Sequence, residues 1–145
     1  MDSNSIQLIK DSFKMVTPIA DQAAEIFYTK LFEKAPKLKP MFKGDMKKQG
    51  EKLMSILGFT VDWLTDIKRF VPVLEELGKN HVDYGVKNKH YKIVGVTFLE
   101  TLEAGLGEHW TPELKKAWTE AYKLIAKTMI KGAKKAQKKW WQFWV

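Results

Sequence analysis

The chain has 145 residues, 45% of them apolar, with six Trp, eight Phe and six Met, which is enough to close one sizeable core and excludes a disordered chain. It holds no cysteine, so disulfides, thiolate catalysis and cysteine-based metal sites are excluded. The net charge of +8 is unevenly placed: residues 121–145 carry seven lysines and no acid, which leaves the first 120 residues at +1.

The N-terminal MDSNSIQLIK lacks the basic start and apolar run of a secretory signal, and no apolar stretch approaches the roughly 20 residues of a membrane-spanning helix, so a cytoplasmic protein is expected. Asp2, Ser3, Asn4 and Ser5 offer N-cap oxygens, and Ile6, Ile9, Phe13 and Val16 then repeat at helical spacing. Thr17-Pro18 reads as a cap followed by proline at the first helical position. A second helix should therefore begin at once and run to about Glu33, with Ala24, Phe27, Tyr28, Leu31 and Phe32 inward. APKLKPMFKGD, with two prolines and a Gly-Asp pair, predicts a short helical turn and a corner that folds Met41 and Phe42 back on the core.

Helical spacing resumes near Met46 with Gln49, Leu53, Ile56 or Leu57, Thr60 or Val61, and Leu64. Pro72 is expected to open the next helix, which sets Leu74, Leu77 and His81 on one face, and Gly85 to break it. Tyr91, Val94, Phe98, Leu99 and Leu102 form a further stripe, ended by Gly105 and Gly107. Thr111-Pro112 repeats the cap-plus-proline start, and the last helix carries Leu114, Trp118, Ala121, Ile125 and Met129 inward, with no clear stop before Gly132. Strand alternation, hairpin turns and internal repeats are absent, so the prediction is all-α. Residues 1–132 should form one domain, and 133–145 a basic, Trp-rich extension of its last helix.

Three inward positions carry polar groups that packing alone does not require: Tyr28, Gln49 and His81. Each also has an ordinary explanation. A histidine alone on an apolar face is most often a hydrogen-bonded core residue, Tyr28 can reach the surface with its hydroxyl, and Gln49 follows two lysines and can be solvated. One histidine cannot complete a structural zinc site, which takes about four protein ligands, whereas haem iron needs a single proximal histidine.

The segments FYTKLFEKAPKLKPMF, QGEKLM, LGKNHVDYGVKNKHYKIVG and KAWTEAYKLIAKTMI, with Pro36, Phe42 and His81 in that order, resemble the globins, and more closely the bacterial single-domain globins related to the haem domain of flavohaemoglobins. The resemblance covers essentially residues 5 to 131 and implies a helical sandwich around haem b. It makes His81 the proximal iron ligand, its other ring nitrogen bound to a carbonyl near Leu77. Phe42 would stack on the macrocycle, Val86 and Tyr91 would line the proximal side, Phe98 would contact the cofactor, and Lys52 is a candidate for a haem propionate, with a plain solvated lysine as the alternative. Tyr28, Gln49 and Leu53 fall on the distal side, where tyrosine hydroxyl and glutamine amide would donate to bound O₂ and leucine would limit space. The implied function is reversible binding of O₂, and of NO, at a five-coordinate or weakly six-coordinate iron. The alternative is an NO dioxygenase or other haem oxidoreductase served by an external reductase.

Two departures qualify the resemblance. Flavohaemoglobins continue into a flavin and nicotinamide reductase, which is not expected in this chain. Their proximal histidine is also joined to a tyrosine matching Tyr91 and to a glutamate in the last helix; counted from Trp118, Ala133 takes the glutamate's place. Without that acid, strongly electron-rich histidine and the O–O cleavage it favours are not expected, and no residue is assigned a catalytic role.

The tail lies outside the resemblance. Lys134, Lys135, Lys138 and Lys139 with Trp140, Trp141 and Trp144 suit an anionic membrane surface, lysines toward headgroups and indoles at the interface. Self-association through the same aromatics goes with that reading, and packing of them on the core is the equal alternative. Nucleic acid is not expected. The localisation this implies is cytoplasmic, peripheral to the inner face of the membrane where the tail docks.

Overall fold

The computed structural model describes the backbone of residues 1–83 and 86–144 and the side chains of residues 1–82 and 86–135. The first helix, α1 (Ser3–Val16), starts on Asp2, whose carboxylate accepts from the Ser5 N–H at 2.7 Å. Its inward face is Ile9, Ser12 and Val16. Thr17 does not cap the second helix. Its hydroxyl donates back to the Phe13 carbonyl at 3.0 Å, Thr17–Ile19 form a 3₁₀ turn, and α2 (Ala20–Lys34) starts only after it. The hydroxyl thus prolongs the first helix, a bond that competes with capping.

Buried Ala23, Ala24, Phe27, Tyr28 and Leu31 define the inner face of α2. A six-residue 3₁₀ segment, Pro36–Met41, makes the corner, and Met41 and Phe42 pack back onto Phe27, Tyr28, Leu31 and Leu38 as expected. Gly44 then takes φ +105°, a turn conformation that favours glycine, and Asp45 caps α3 (Met46–Trp63) by accepting from the Lys47 N–H at 2.8 Å. Of the paired inward options on α3, Leu57, Thr60 and Val61 turn in, while Ile56 is 43% exposed.

A 3₁₀ turn at Leu64–Asp66 leads directly into α4 (Ile67–Asp83). Pro72 therefore does not open this helix but sits inside it. The proline is exposed, so the Lys68 carbonyl that loses its helical donor can turn to water, and a second-turn proline is tolerated there. The expected helix break at Gly85 lies outside the described residues.

The fifth helix, α5 (Asn88–Leu106), closes on Gly107, φ +54°. The long α6 (Pro112–Trp144) starts as predicted, with the Thr111 hydroxyl accepting from the Leu114 N–H at 3.2 Å, and it continues through Gly132. No strand occurs among the described residues.

The core has two parts. Ile9, Val16, Ala23, Val61, Leu64, Leu102, Leu106, Leu114, Ala117, Trp118 and Ala121 bring α1, α5 and α6 together with the ends of α2 and α3. The Trp118 indole donates to Ser12 Oγ at 3.0 Å, which donates to the Ile9 carbonyl at 3.0 Å, so this buried polar pair is satisfied. The second part surrounds Phe27, Tyr28, Leu31 and Leu38, and Phe98 borders both. The most extensive helix pairing is α4 against α6, which holds the His81 helix on one side of the molecule. The result is a sandwich of helices.

Candidate ligand pocket

The polar pair of the pocket comes from two helices. Tyr28 lies on the inner face of α2, 7% exposed, with its ring edge-on to Phe42 at 5.3 Å and stacked beside Phe32 at 6.0 Å. Gln49 stands in the first turn of α3, and its Nε2 donates to the Tyr28 hydroxyl at 3.3 Å. The two helices can approach closely because Gly50 faces Ala24; a Cβ on that glycine would fall 2.9 Å from the alanine methyl. Burial pushes the Tyr28 phenol up, an effect the Gln49 hydrogen bond only partly opposes. The hydroxyl therefore keeps its proton at neutral pH, and with Gln49 as donor to its oxygen, that proton remains to be given to a ligand.

Leu53, one turn beyond Gln49, packs with Phe42, Val94 and Phe98 against the Tyr28 group. Tyr28, Phe42, Gln49, Leu53 and Phe98 are thus brought together. Behind them lies an apolar cavity of about 20 Å³ bordered by Phe13, Val16, Phe27, Leu53, Phe98 and Leu102. Lys52 does not join this group: it is exposed and lines a surface groove with Lys48, Glu51, Ser55 and Ile56.

His81 is half-buried near the end of α4. Its Nδ1 donates to the Leu77 carbonyl one turn earlier at 2.6 Å, as expected. A carbonyl can only accept, so Nδ1 carries the proton of this bond, and the bond fixes the orientation of the ring. Past the helix end, the Val86 N–H donates to the His81 carbonyl at 3.0 Å.

Tyr91 opens the inward stripe of α5. Its hydroxyl is buried and has no hydrogen-bond partner among the described residues, and burial pushes the phenol up. The position at which an acid was expected to be missing is filled by the buried methyl of Ala133 on α6. Sequence reasoning did not single out Tyr122. Its hydroxyl donates to the Tyr91 carbonyl at 2.5 Å, and its ring lies on Gly95, where a Cβ would come within 2.6 Å of it. Burial, and then the nearby Tyr91, push the Tyr122 phenol well up. The signal was present, since Tyr122 follows Trp118 by four residues on the inner stripe of α6.

Residues 25–129 match the model of the Globin family. The chain is 26% identical over 133 residues to a Bacillus subtilis flavohemoprotein, a match covering 90% of this chain and 33% of that protein. It is 29% identical to an uncharacterized globin-like protein of Aquifex aeolicus, covering 93% of this chain and 96% of that one. A rice protein named anaerobic nitrite reductase NSHB5 is 29% identical, covering 90% of this chain and 94% of that one. Among solved structures, a bacterial globin from Campylobacter jejuni superposes with a TM-score of 0.82 at 27% identity, covering 94% of this chain and 99% of that one. The chain thus spans about a third of the flavohemoproteins it matches.

Proposed function

We propose that this chain, which belongs to the globin family, is a haem b protein that binds O₂ reversibly, and NO with it, through His81 on one side and the Tyr28–Gln49 pair on the other. The family implies haem. Haem would supply the iron that takes a diatomic gas, and the residues present fit it. Among the described residues no three histidine, cysteine or carboxylate side chains could hold a bare metal ion, and His81, its ring oriented by the Leu77 carbonyl, is the residue that would hold haem iron. Phe42, Leu53, Val86, Tyr91 and Phe98 would form the walls.

The observation that carries the oxygen reading is the Gln49 Nε2 to Tyr28 Oη hydrogen bond. It orients a neutral phenol whose own proton can meet the partial negative charge that develops on O₂. The test is an absorption spectrum of the ferrous protein without and with O₂. A Soret band that shifts reversibly on oxygenation is expected; a chain that neither carries nor takes up haemin would overturn the reading.

NO dioxygenation, or other haem redox chemistry with a separate reductase, is the second reading, and the flavohemoprotein relatives favour it. Steady turnover with a supplied reductase would support it, and its absence would exclude it. The methyl of Ala133 where an acid would activate His81 supports the binding role instead.

Membrane contact is proposed separately. No helix of the described residues is long and apolar enough to cross a membrane. Lys135 is not free for lipid, because it pairs with Glu75 at 2.7 Å, and the side chains of Lys138, Lys139, Trp140, Trp141 and Trp144 lie outside the described residues. Support comes from the cationic length of α6 and from Phe59, which is 58% exposed and stacks on Trp63. Truncation after Lys135 should lower pelleting with anionic vesicles and leave the oxygen spectrum unchanged; equal pelleting of both forms would exclude docking through the tail.

A further inference from the structure

We infer that Gly78 of α4 and Gly132 of α6 form a reciprocal backbone clasp that positions His81, an inference that rests on the reading of His81 as the haem ligand. A Cβ built on Gly78 would fall 2.7 Å from the Met129 Cα and overlap the Met129 carbonyl oxygen outright. A Cβ on Gly132 would fall 2.6 Å from the Glu75 carbonyl carbon and overlap its oxygen. The two contacts mirror one another. Residue 78 meets 129 and residue 75 meets 132, so a step of three along one helix matches a step of three back along the other, and the helices run antiparallel in backbone contact.

In each case the direction a Cβ would take is occupied in glycine by a Cα hydrogen, which here points at a carbonyl oxygen. Paired Cα–H···O contacts of this kind recur where helices approach closely. Side chains would hold two helices about 8–10 Å apart; at these two turns nothing but backbone separates them. The Lys135–Glu75 ion pair at 2.7 Å then joins the helices at the same turn of α4, with Gly132 and Lys135 three residues apart.

Glycine is a poor residue for a helix interior, and one on each helix at matching positions needs a reason beyond local structure. The place of the clasp supplies it. Gly78 directly follows Leu77, whose carbonyl sets the His81 ring, and precedes His81 by three residues. A push on α4 at residue 78 therefore moves ligand and ring-orienting carbonyl together. Ligand geometry is sensitive to displacements of about 0.5 Å, far less than a methyl group between the two backbones would impose. Gly78 and Gly132 are positioning residues; neither would touch the cofactor.

The experiment compares Gly78→Ala and Gly132→Ala with Gly58→Ala, whose Cβ would meet only Phe13 at an ordinary 3.7 Å. The holoproteins are read by resonance Raman at the iron–histidine stretch and by the rate of haemin loss to an acceptor. Both clasp variants should shift the stretch and speed haemin loss by ~tenfold or more, equivalent to about 1.4 kcal/mol, while Gly58→Ala leaves both as in the parent. Gly132→Ala is the decisive variant, because it acts on His81 from another helix. If haem is bound normally and neither clasp variant moves the stretch, the clasp is overturned and the haem reading stands. A parent chain that binds no haem overturns the haem reading first. Should both variants fail to fold, amide exchange in the parent holoprotein decides: residues 74–81 and 128–134 should open in one correlated step, and independent opening would exclude the clasp.

Discussion

Tyr28 combines burial, a hydroxyl and a defined donor, and its effect can be tested one atom at a time. Tyr28→Phe keeps the ring contacts with Phe32 and Phe42 and removes only the oxygen that Gln49 meets at 3.3 Å. Loss of a hydrogen bond to a partly charged ligand costs about 1.5–3 kcal/mol, so the O₂ dissociation rate should rise by ~tenfold or more in stopped flow. An unchanged rate would remove Tyr28 from the site. Because burial pushes this phenol up from its usual value near 10, the parent's rate should stay flat from about pH 6 to 9.5. Tyr91→Phe should behave in the opposite way to a normal hydrogen-bond deletion. Its buried hydroxyl has no partner among the described residues, so removing it should leave the apoprotein's urea midpoint unchanged or raised. A loss above about 1 kcal/mol would mean that the oxygen has a partner after all. The sequence already singled out Tyr28, Gln49 and His81, since each is a polar residue at an inward helical position. It could not show that the Tyr91 hydroxyl lacks a partner among the described residues or that Lys52 faces solvent, because both depend on side-chain direction in space and not on spacing.

Helix starts divide by what the residue at the start does with its side chain. Asp2, Asp45 and Thr111 cap as their sequence positions suggest, since each bond spans two or three residues. Thr17 and Pro72 depart from expectation because capping is only one use of a threonine before proline, and opening a helix only one use of a proline; a 3₁₀ turn and an exposed second-turn proline are others. The stripe of α5 is legible from Tyr91, but its cap at Lys87 is not. There the Lys87 N–H donates to His90 Nδ1 at 2.9 Å while the His90 N–H donates to the Lys87 carbonyl at 2.9 Å, a reciprocal cap built from histidine. The bond needs a neutral ring, and burial first, then Lys89 and Lys87, hold the His90 pKa below its usual value. The unfolded chain takes up the proton more readily, so the cap's contribution is present above about pH 6.5 and is lost as pH falls below it. His90→Ala should lower stability by about 1 kcal/mol at pH 8 and flatten the decline between pH 7 and 5. An unaltered pH dependence of the urea midpoint would show that His90 does not cap the helix.

At the scale of the whole molecule, tyrosines on α2, α5 and α6 bear together on the stability of the fold in alkali. Tyr28, Tyr91 and Tyr122 all have their phenols pushed up, in each case by burial first. Above pH 10 the unfolded chain loses these protons while the folded chain keeps them, so stability is full below that pH and falls as pH rises beyond it. The slope counts protons: about 1.4 kcal/mol per pH unit for each tyrosine still protonated in the fold and ionised out of it. Tyr122 should dominate, because its proton also forms the 2.5 Å bond to the Tyr91 carbonyl that ties α6 to α5. Tyr122→Phe removes one titrating group and one cross-helix bond together. It should lower stability near pH 8 by about 1 kcal/mol while making the decline above pH 10 shallower, so that the two stability curves converge as pH rises. Urea midpoints from pH 8 to 11, with phenolate absorbance recorded on the same samples, test both effects. Parallel curves would place the alkaline transition elsewhere and leave Tyr122 with a packing role alone.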